Sequence, residues 1–394
     1  MPHKLQYIGE TPESRTSSKK IAFIITGLST GGAEMMLLKL CSMIDKSRFS
    51  LSVISLRDHG TIGPRIEDLG IPVYSLRLRR NLPSITAFFK LRKLLADLRP
   101  DLIQGWMYHG NLAACLFPGK APVCWGIRQS FYGLDKQRRL TSWIIIVGKY
   151  LSRFSGCIIY NSKTSAQQHE EFGFVKKRTI VIPNGFDIGV FRPDRSSKSL
   201  LRKEWGLNDD VVLIGLIARF HPMKDHEGFL KAAALLLREF PNVYFLLVGN
   251  GVSTGNAELC KLIDDLGLSD HFLLLGERMD IPKITAALDI ATSCSAWGEG
   301  FANSIGEAMS CGVPCVVTDV GDSAWIVGET GRVVPPGNPN ALASAWKSLV
   351  ALGSEGRYAL GALARERVKN NFSLDSVAAQ YENLYLRLLD KVKV

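Results

Sequence analysis

The sequence predicts two α/β domains, each a doubly wound parallel sheet of the Rossmann-like kind, facing one another across a central cleft. Three observations carry this. Runs rich in Val, Ile and Leu alternate with helical patterns along the chain, and runs without a polar face suit parallel strands covered on both sides. The alternation starts twice, with a polar stretch between. Glycine-rich and charged loops follow the strands, where such sheets bind ligands.

Length and composition agree. The 394 residues leave room for two or three domains of roughly 150 residues. With 46% hydrophobic and 22% charged residues, disordered and collagen-like chains are excluded. No apolar run reaches the roughly 20 residues of a membrane span. Trp143 to Val147 comes nearest, but Arg138, Arg139, Lys149 and Arg153 flank it, so it reads as a buried or surface-docking helix segment. Residues 1–19 are polar and read as a flexible tail rather than a signal peptide. The eight cysteines form no C-x-x-C pair, which suits free thiols in a reducing, cytoplasmic setting.

Taken in order, strands are expected at Ile21–Thr26, Ser50–Leu56, Val73–Leu76, Leu102–Gln104, Val123–Ile127, Gly156–Tyr160 and Thr179–Ile182. Helices such as Ala33–Asp45 and Ile85–Leu98 lie between them. This forms a first domain over 20–190. The stretch from Phe191 to Trp205, with RPDRSSKS, reads as a linker. Strands resume at Val211–Ala218, Val243–Val248, Phe272–Leu275, Ile290–Ser293 and Pro314–Thr318, giving a second domain over 205–372. A final helix over 373–394 follows the completed second domain and is expected to pack back on the first.

Three motifs sit just after strands. The first, Gly27-Leu28-Ser29-Thr30-Gly31-Gly32-Ala33-Glu34, is a strand, a glycine turn and a helix start. It suits close approach of a phosphate to free N–H groups, or is a plain tight turn. Its spacing is neither of the dinucleotide nor of the P-loop pattern. The second, Ala218 to Asp225, carries Arg219 and Lys224. These either neutralise a diphosphate leaving group or are solvated loop cations. The third, Trp297 to Met309, holds Glu299 in a Gly-Glu-Gly-Phe loop and Glu307 eight positions on. A carboxylate at a strand end, before a helix N-terminus near Asn303 and Ser304, is suited to sugar hydroxyls and an adjoining phosphate.

GGAE, ARFHPMKD and EGFANSIGEAMSCGVPCVVTDVGD, in that order, together with PNGFDIGVF at Pro183 to Phe191, resemble the retaining family-4 type glycosyltransferases of the GT-B fold. The likeness spans Ile21 to Phe372, and the E-x7-E block is its most specific part. It implies a hexosyltransferase taking a nucleotide-diphosphate sugar and acting with retention, a donor phosphate oxygen accepting the acceptor's proton. Gly31 and Gly32 would lie against the diphosphate, which Arg219 and Lys224 would hold. Glu299 would bind the donor sugar, the segment Gly300, Phe301, Ala302, Asn303 and Ser304 sugar and phosphate, Glu307 the ribose, and Arg278 the region of the base. No cofactor and no metal are expected: aspartates spaced D-x-D are absent, and Arg219 and Lys224 would supply the positive charge.

Two positions depart from the family pattern. Arg128, in CWGIRQS, stands where many members carry an active-site His, and an arginine is no base near neutral pH. His109, in WMYHGNL, is a second candidate imidazole, or a packing histidine. Gly321-Asp322 replaces a frequent Gly-Gly, so an altered acceptor-side or interdomain contact is expected there.

The net charge of +11 is local: between Ser75 and Ser155 stand 14 Lys and Arg against three acids. Ile85 to Leu98 within this region is amphipathic, followed by Arg99 and preceded by Arg77, Arg79 and Arg80. It is either an ordinary packing helix or a patch for an anionic membrane surface. The membrane reading fits a peripheral enzyme at the inner face of the plasma membrane, extending a lipid-linked glycan in bacterial surface polysaccharide synthesis. No nucleic-acid motif accompanies the charge. A nucleotide-sugar epimerase of the same fold and a non-catalytic anion-binding protein remain the rivals.

Overall fold

The computed structural model describes residues 18–78, 85–131, 133–134, 139–208 and 210–391. The first sheet has seven parallel strands, β1 (Lys19–Ile25), β2 (Phe49–Ser55), β3 (Val73–Ser75), β4 (Leu102–Trp106), β5 (Val123–Ile127), β6 (Cys157–Tyr160) and β7 (Thr179–Val181), in the order β3-β2-β1-β4-β5-β6-β7. Its helices are α1 (Gly32–Met43), α2 (Gly63–Glu67), α3 (Ile85–Leu98), α4 (Met107–Ala114), α5 (Arg139–Leu151) and α6 (Lys163–Phe172). Every residue of β4 and β5 is buried, as parallel strands covered on both faces require, and in β4 that includes the polar Gln104.

The second sheet has six parallel strands, β8 (Val212–Ile217), β9 (Val243–Val248), β10 (Phe272–Leu274), β11 (Ile290–Ser293), β12 (Cys315–Thr318) and β13 (Arg332–Val334), in the order β10-β9-β8-β11-β12-β13. Its helices are α7 (Arg195–Glu204), α8 (His226–Leu237), α9 (Ala257–Asp265), α10 (Ile281–Ala287), α11 (Asn303–Ser310), α12 (Ser323–Val327), α13 (Pro339–Val350) and α14 (Gly353–Asn371). The two doubly wound sheets are those the sequence predicts. β13, short and only partly buried, gave no apolar run to find.

The expected linker is corrected. Its polar stretch enters α7, capped by the Asp194 carboxylate on the Ser197 N–H at 2.9 Å. Polar composition hid this helix because ion pairs, as well as Leu201, fix it. Arg202 is buried and pairs with Asp289, which also takes Lys198 at 2.7 Å. Lys19, expected in the tail, belongs to β1; residues 1–17 lie outside the described residues, as do Arg79, Arg80 and Arg138 of the basic region.

The last helix, α15 (Leu374–Lys391), crosses back to the first domain. Tyr381, Leu384 and Tyr385 join the core formed by β1 and α1. The chain thus passes between domains twice. The two passages lie side by side, tied by Phe186 N–H to the Phe372 carbonyl at 2.8 Å and Leu374 N–H to the Phe186 carbonyl at 2.9 Å. Among the described residues no helix is long and apolar enough to cross a membrane.

Candidate active site

The carboxyl ends of both sheets border a cavity of about 1090 Å³. In each sheet the strand order reverses once, at β1/β4 and at β8/β11. Loops leaving those strands line the cavity: Gly32 to Glu34 after β1, Met107 after β4, Arg219 after β8, and Trp297 to Phe301 after β11. Splayed loops at a reversal leave a crevice that neither neighbouring helix fills.

Lys224 and Glu299 form an ion pair, their side chains 18% and 12% exposed. Ser295 Oγ also donates to Glu299 Oε1 at 3.0 Å. The short turn Pro222–Lys224 positions the lysine, and the Met223 carbonyl accepts the Ala296 N–H at 2.9 Å, locking the two loops together. Gly298 has φ +86, a backbone that favours glycine, and a Cβ there would displace the Met223 side chain, whose Sδ would stand 2.2 Å away. Arg219 is exposed to the cavity. An anion entering here meets the Arg219 guanidinium and competes with Glu299 for Lys224.

The Gly-Glu-Gly-Phe loop is held from both sides. Ser130 Oγ of the first domain donates to the Glu299 carbonyl at 3.1 Å, and the Asp322 N–H to the Gly300 carbonyl at 3.0 Å. Gly321 has φ +60, with space for no Cβ because the Glu299 carbonyl would stand 2.3 Å away. Phe301 anchors the loop in the core, stacked on Phe186 with centroids 6.0 Å apart. α11 then begins, and no side chain caps its N-terminus. Its first N–H groups and the positive end of its dipole are available to an anion.

Arg128 joins the two domains and the last helix. Its Nη1 donates to Asn184 Oδ1 at 2.6 Å and its Nη2 to the Tyr381 hydroxyl, while its guanidinium lies 4.0 Å from the Trp106 ring centroid. Asn184 Nδ2 donates in turn to Asn303 Oδ1 at 2.9 Å. Burial pushes the Arg128 pKa down and the Tyr381 hydroxyl opposes that. Arg128 also lines the cavity, beside the partners it bridges.

Asp322 answers the expectation of an altered contact with an interdomain one. Its carboxylate accepts the N–H groups of Lys163 (2.6 Å) and Thr164 (3.0 Å) and the Thr164 hydroxyl (2.7 Å). These residues begin α6, in the other domain.

Among the residues predicted for the site, Gly32, Arg128, Arg219, Glu299, Gly300, Phe301 and Asn303 line the cavity, and Lys224 reaches it through Glu299. Gly31 starts α1 beside it. Ala302, Ser304 and Glu307 stand behind the lining. Burial raises the Glu307 pKa, and Lys39 of α1 offsets this in part. His109 does not line the cavity; on α4 its pKa is lowered by burial and by Arg57. Arg278 does not line it either and forms a two-pronged pair with Asp280 at 2.8 and 2.7 Å.

Sequence reasoning passed over Glu34, Met107, Gln129, Ser130, Asn161, Asn184 and Trp297, all lining residues. Glu34, raised by burial, stood inside the first motif and Asn184 inside PNGFDIGVF. Met107 adopts φ +67 at the end of β4. That backbone costs a non-glycine residue about 1 kcal/mol or more, and such strain gathers at ligand sites. Among the described residues no three His, Cys, Asp or Glu side chains gather as a metal-binding group.

Comparison with known proteins adds a family. Residues 197–367 match the family described as glycosyl transferases group 1, and residues 30–190 match glycosyltransferase family 4. The Escherichia coli UDP-Gal:alpha-D-GlcNAc-diphosphoundecaprenol alpha-1,3-galactosyltransferase is 33% identical over 326 residues, covering 80% of this chain and 83% of that one. The lipopolysaccharide core biosynthesis mannosyltransferase LpsB of Rhizobium meliloti is 29% identical over 262 residues, 63% of this chain and 70% of that one. Among solved structures, Anabaena Alr3699/HepE in complex with UDP superposes with a TM-score of 0.80 at 25% identity, over 93% of this chain and 99% of that one.

Proposed function

Starting from the chain's membership of the family-4 glycosyltransferases of the GT-B fold, we propose that it moves a hexose from a nucleotide-diphosphate sugar to a hydroxyl of a lipid-linked glycan, with retention and without a metal. The observation that carries this is the Lys224–Glu299 pair beside Arg219, at the carboxyl end of the second sheet and facing the first domain. The donor sugar sits at Glu299, whose carboxylate accepts sugar hydroxyls. The diphosphate takes Lys224, Arg219 and the N-terminus of α11. As the sugar–oxygen bond to the diphosphate breaks, negative charge grows on the leaving group, and these cations stabilise it where a metal otherwise would. The acceptor oxygen bonds to the same sugar carbon and its proton passes to a phosphate oxygen of the departing nucleotide, so no protein nucleophile is needed. Arg128 takes a place beside the sugar as a hydrogen-bond donor, not as a base.

UDP is the first nucleotide to try, since relatives bear it in their names. The basic 75–155 region supports a lipid-linked acceptor, because each cation near an anionic leaflet adds roughly 1 kcal/mol of attraction. The experiment is transfer from labelled UDP-sugars to a detergent-dispersed diphosphoundecaprenyl glycan with chelator present, followed by NMR of the product's anomeric centre. A retained linkage is expected. Conversion of one nucleotide sugar to another without acceptor would favour the epimerase, and an inverted linkage would end the retaining scheme.

A further inference from the structure

Half of the exposed large apolar side chains, nine of the 18 among the described residues, fall between Ile85 and Phe154. Five form one stripe on α5 and the turn after it: Leu140 (43% exposed), Trp143 (67%), Val147 (40%), Tyr150 (56%) and Phe154 (73%). They recur at three- and four-residue steps, so they share one helix face. The side of α5 turned to the core is apolar too. Ile145 and Gly148 are buried, and Ile144 and Leu151, bordering the stripe, pack against the core. A helix apolar on both faces needs a second apolar medium besides the core.

We propose that this stripe inserts into the acyl region of an anionic phospholipid leaflet, with the exposed first turn of α3 on the same face of the sheet. α3, α4 and α5 cover the same face of the first sheet. Ile85, Phe88 and Phe89 are exposed on α3. Arg139, Lys149 and Arg153 flank the stripe, and Lys90, Arg92 and Lys93 stand on α3. Among the described residues of 85–154 the only acids are Asp97 and Asp101, and Asp101 is engaged by the Lys20 N–H at 2.8 Å. An anionic leaflet matches this charge, whereas a second copy of the same face would set cations against cations. Trp143 and Tyr150 suit the boundary between headgroups and acyl chains. Beside α3 a recess of about 460 Å³ opens between Arg92, Arg99 and Lys120, floored by Leu95 and Phe117, with the size and charge for a lipid phosphate.

The placement is purposeful. α5 starts beyond the carboxyl end of β5, on the cavity side, and its Ser142 hydroxyl holds the Leu134 carbonyl of the incoming loop at 2.9 Å. Insertion along α5 therefore lays the cavity mouth beside the leaflet. This rests on the lipid-linked acceptor reading for its use, not for its physics.

The test is flotation of the full chain with vesicles of phosphatidylcholine containing phosphatidylglycerol, at low salt and in 0.5 M salt. The wild type should retain binding in high salt, and brominated acyl chains should quench a fluorescence component that Trp143→Phe removes. Trp143→Ser with Phe154→Ser should weaken vesicle binding at least tenfold. The same variant should keep its thermal shift with UDP and its transfer to detergent-dispersed acceptor, which reports a folded, working cleft. Unchanged vesicle binding by the variant, or binding by the wild type that salt abolishes, would overturn insertion. A wild-type dimer in sedimentation that the variant loses would assign the face to a second copy instead. If the wild type inserts but transfers no sugar, the functional reading fails and insertion stands.

Discussion

The Asp322 carboxylate of the second domain caps Thr164 of the first, accepting both its N–H at 3.0 Å and its hydroxyl at 2.7 Å. With Lys163 on Asp322 and Ser165 on its own-domain cap Ser162 at 3.0 Å, the first three N–H groups of α6 are all satisfied. Opening the cleft therefore exposes two helix-end donors and a buried carboxylate, so closure is favoured by the cap itself. Lys163 adds its ammonium 4.2 Å from the Trp325 ring centroid.

Loss of this cap is expected to open the molecule. Removing a helix cap costs about 1 kcal/mol, so Asp322→Ala should lower kcat/KM about fivefold and raise the radius of gyration in solution scattering. Asp322→Ala combined with Thr164→Val should cost less than the sum of the two, because both delete one contact.

The charged cluster is expected to be more sensitive. Arg219→Ala, Lys224→Ala and Glu299→Ala should each lower transfer by about a hundredfold or more, the scale of losing one donor aimed at developing charge. Near-normal rates in all three would remove the site assignment. A chelator should leave the wild-type rate unchanged; loss that a divalent cation restores would assign the leaving-group charge to a metal.

Arg128 bridges Asn184 and Tyr381 with two arms of one guanidinium. Lysine keeps the charge but not the fork. Arg128→Lys should therefore cost about 2 kcal/mol in urea unfolding, as for hydrogen bonds to a charged group. Tyr381→Phe should cost less. Equal stability of Arg128→Lys and wild type would show that the bridge carries nothing.

A pH dependence follows from His169, buried between Tyr108 Oη (2.6 Å from Nε2) and the Ser165 carbonyl (2.7 Å from Nδ1). Burial pushes its pKa down to about 4, below the roughly 6.5 of an unfolded histidine. The unfolded chain binds the proton first, so this contribution is intact above pH 6.5 and is lost as pH falls toward 4. The loss is of the order of 3 kcal/mol. His226, lowered to about 4 by burial and then by Lys224, acts in the same sense. Urea midpoints should fall across that window, and His169→Gln should flatten the slope.

How much of this was legible in the sequence depends on distance along the chain. The two sheets were legible because most of their buried strands are rich in Val, Ile and Leu, even where a Ser or Gln interrupts them as in β2 and β4. The Glu299 loop was legible because strand, loop and helix start lie within about a dozen residues. Arg128 and Asp322 could be seen as departures, but not what they do: Tyr381 lies 253 residues from one and Thr164 lies 158 from the other. α7 was hidden because its polar residues meet Asp289 only in the folded chain. The apolar content of α5 was visible, yet which of its two apolar faces met the core was a matter of packing against Trp125 and Phe174.

The central claim is that the cleft binds a nucleotide-diphosphate sugar through Arg219, Lys224 and Glu299. The most direct measurement is a thermal shift with UDP, other nucleoside diphosphates and their sugars, with chelator throughout, on the wild type and Arg219→Ala. Ligand at 100 times its dissociation constant should add about 2.7 kcal/mol of stability. The account predicts such a shift for one base family, insensitive to chelator and sharply reduced in Arg219→Ala. No shift with any nucleotide, or one that Arg219→Ala leaves intact, would contradict it.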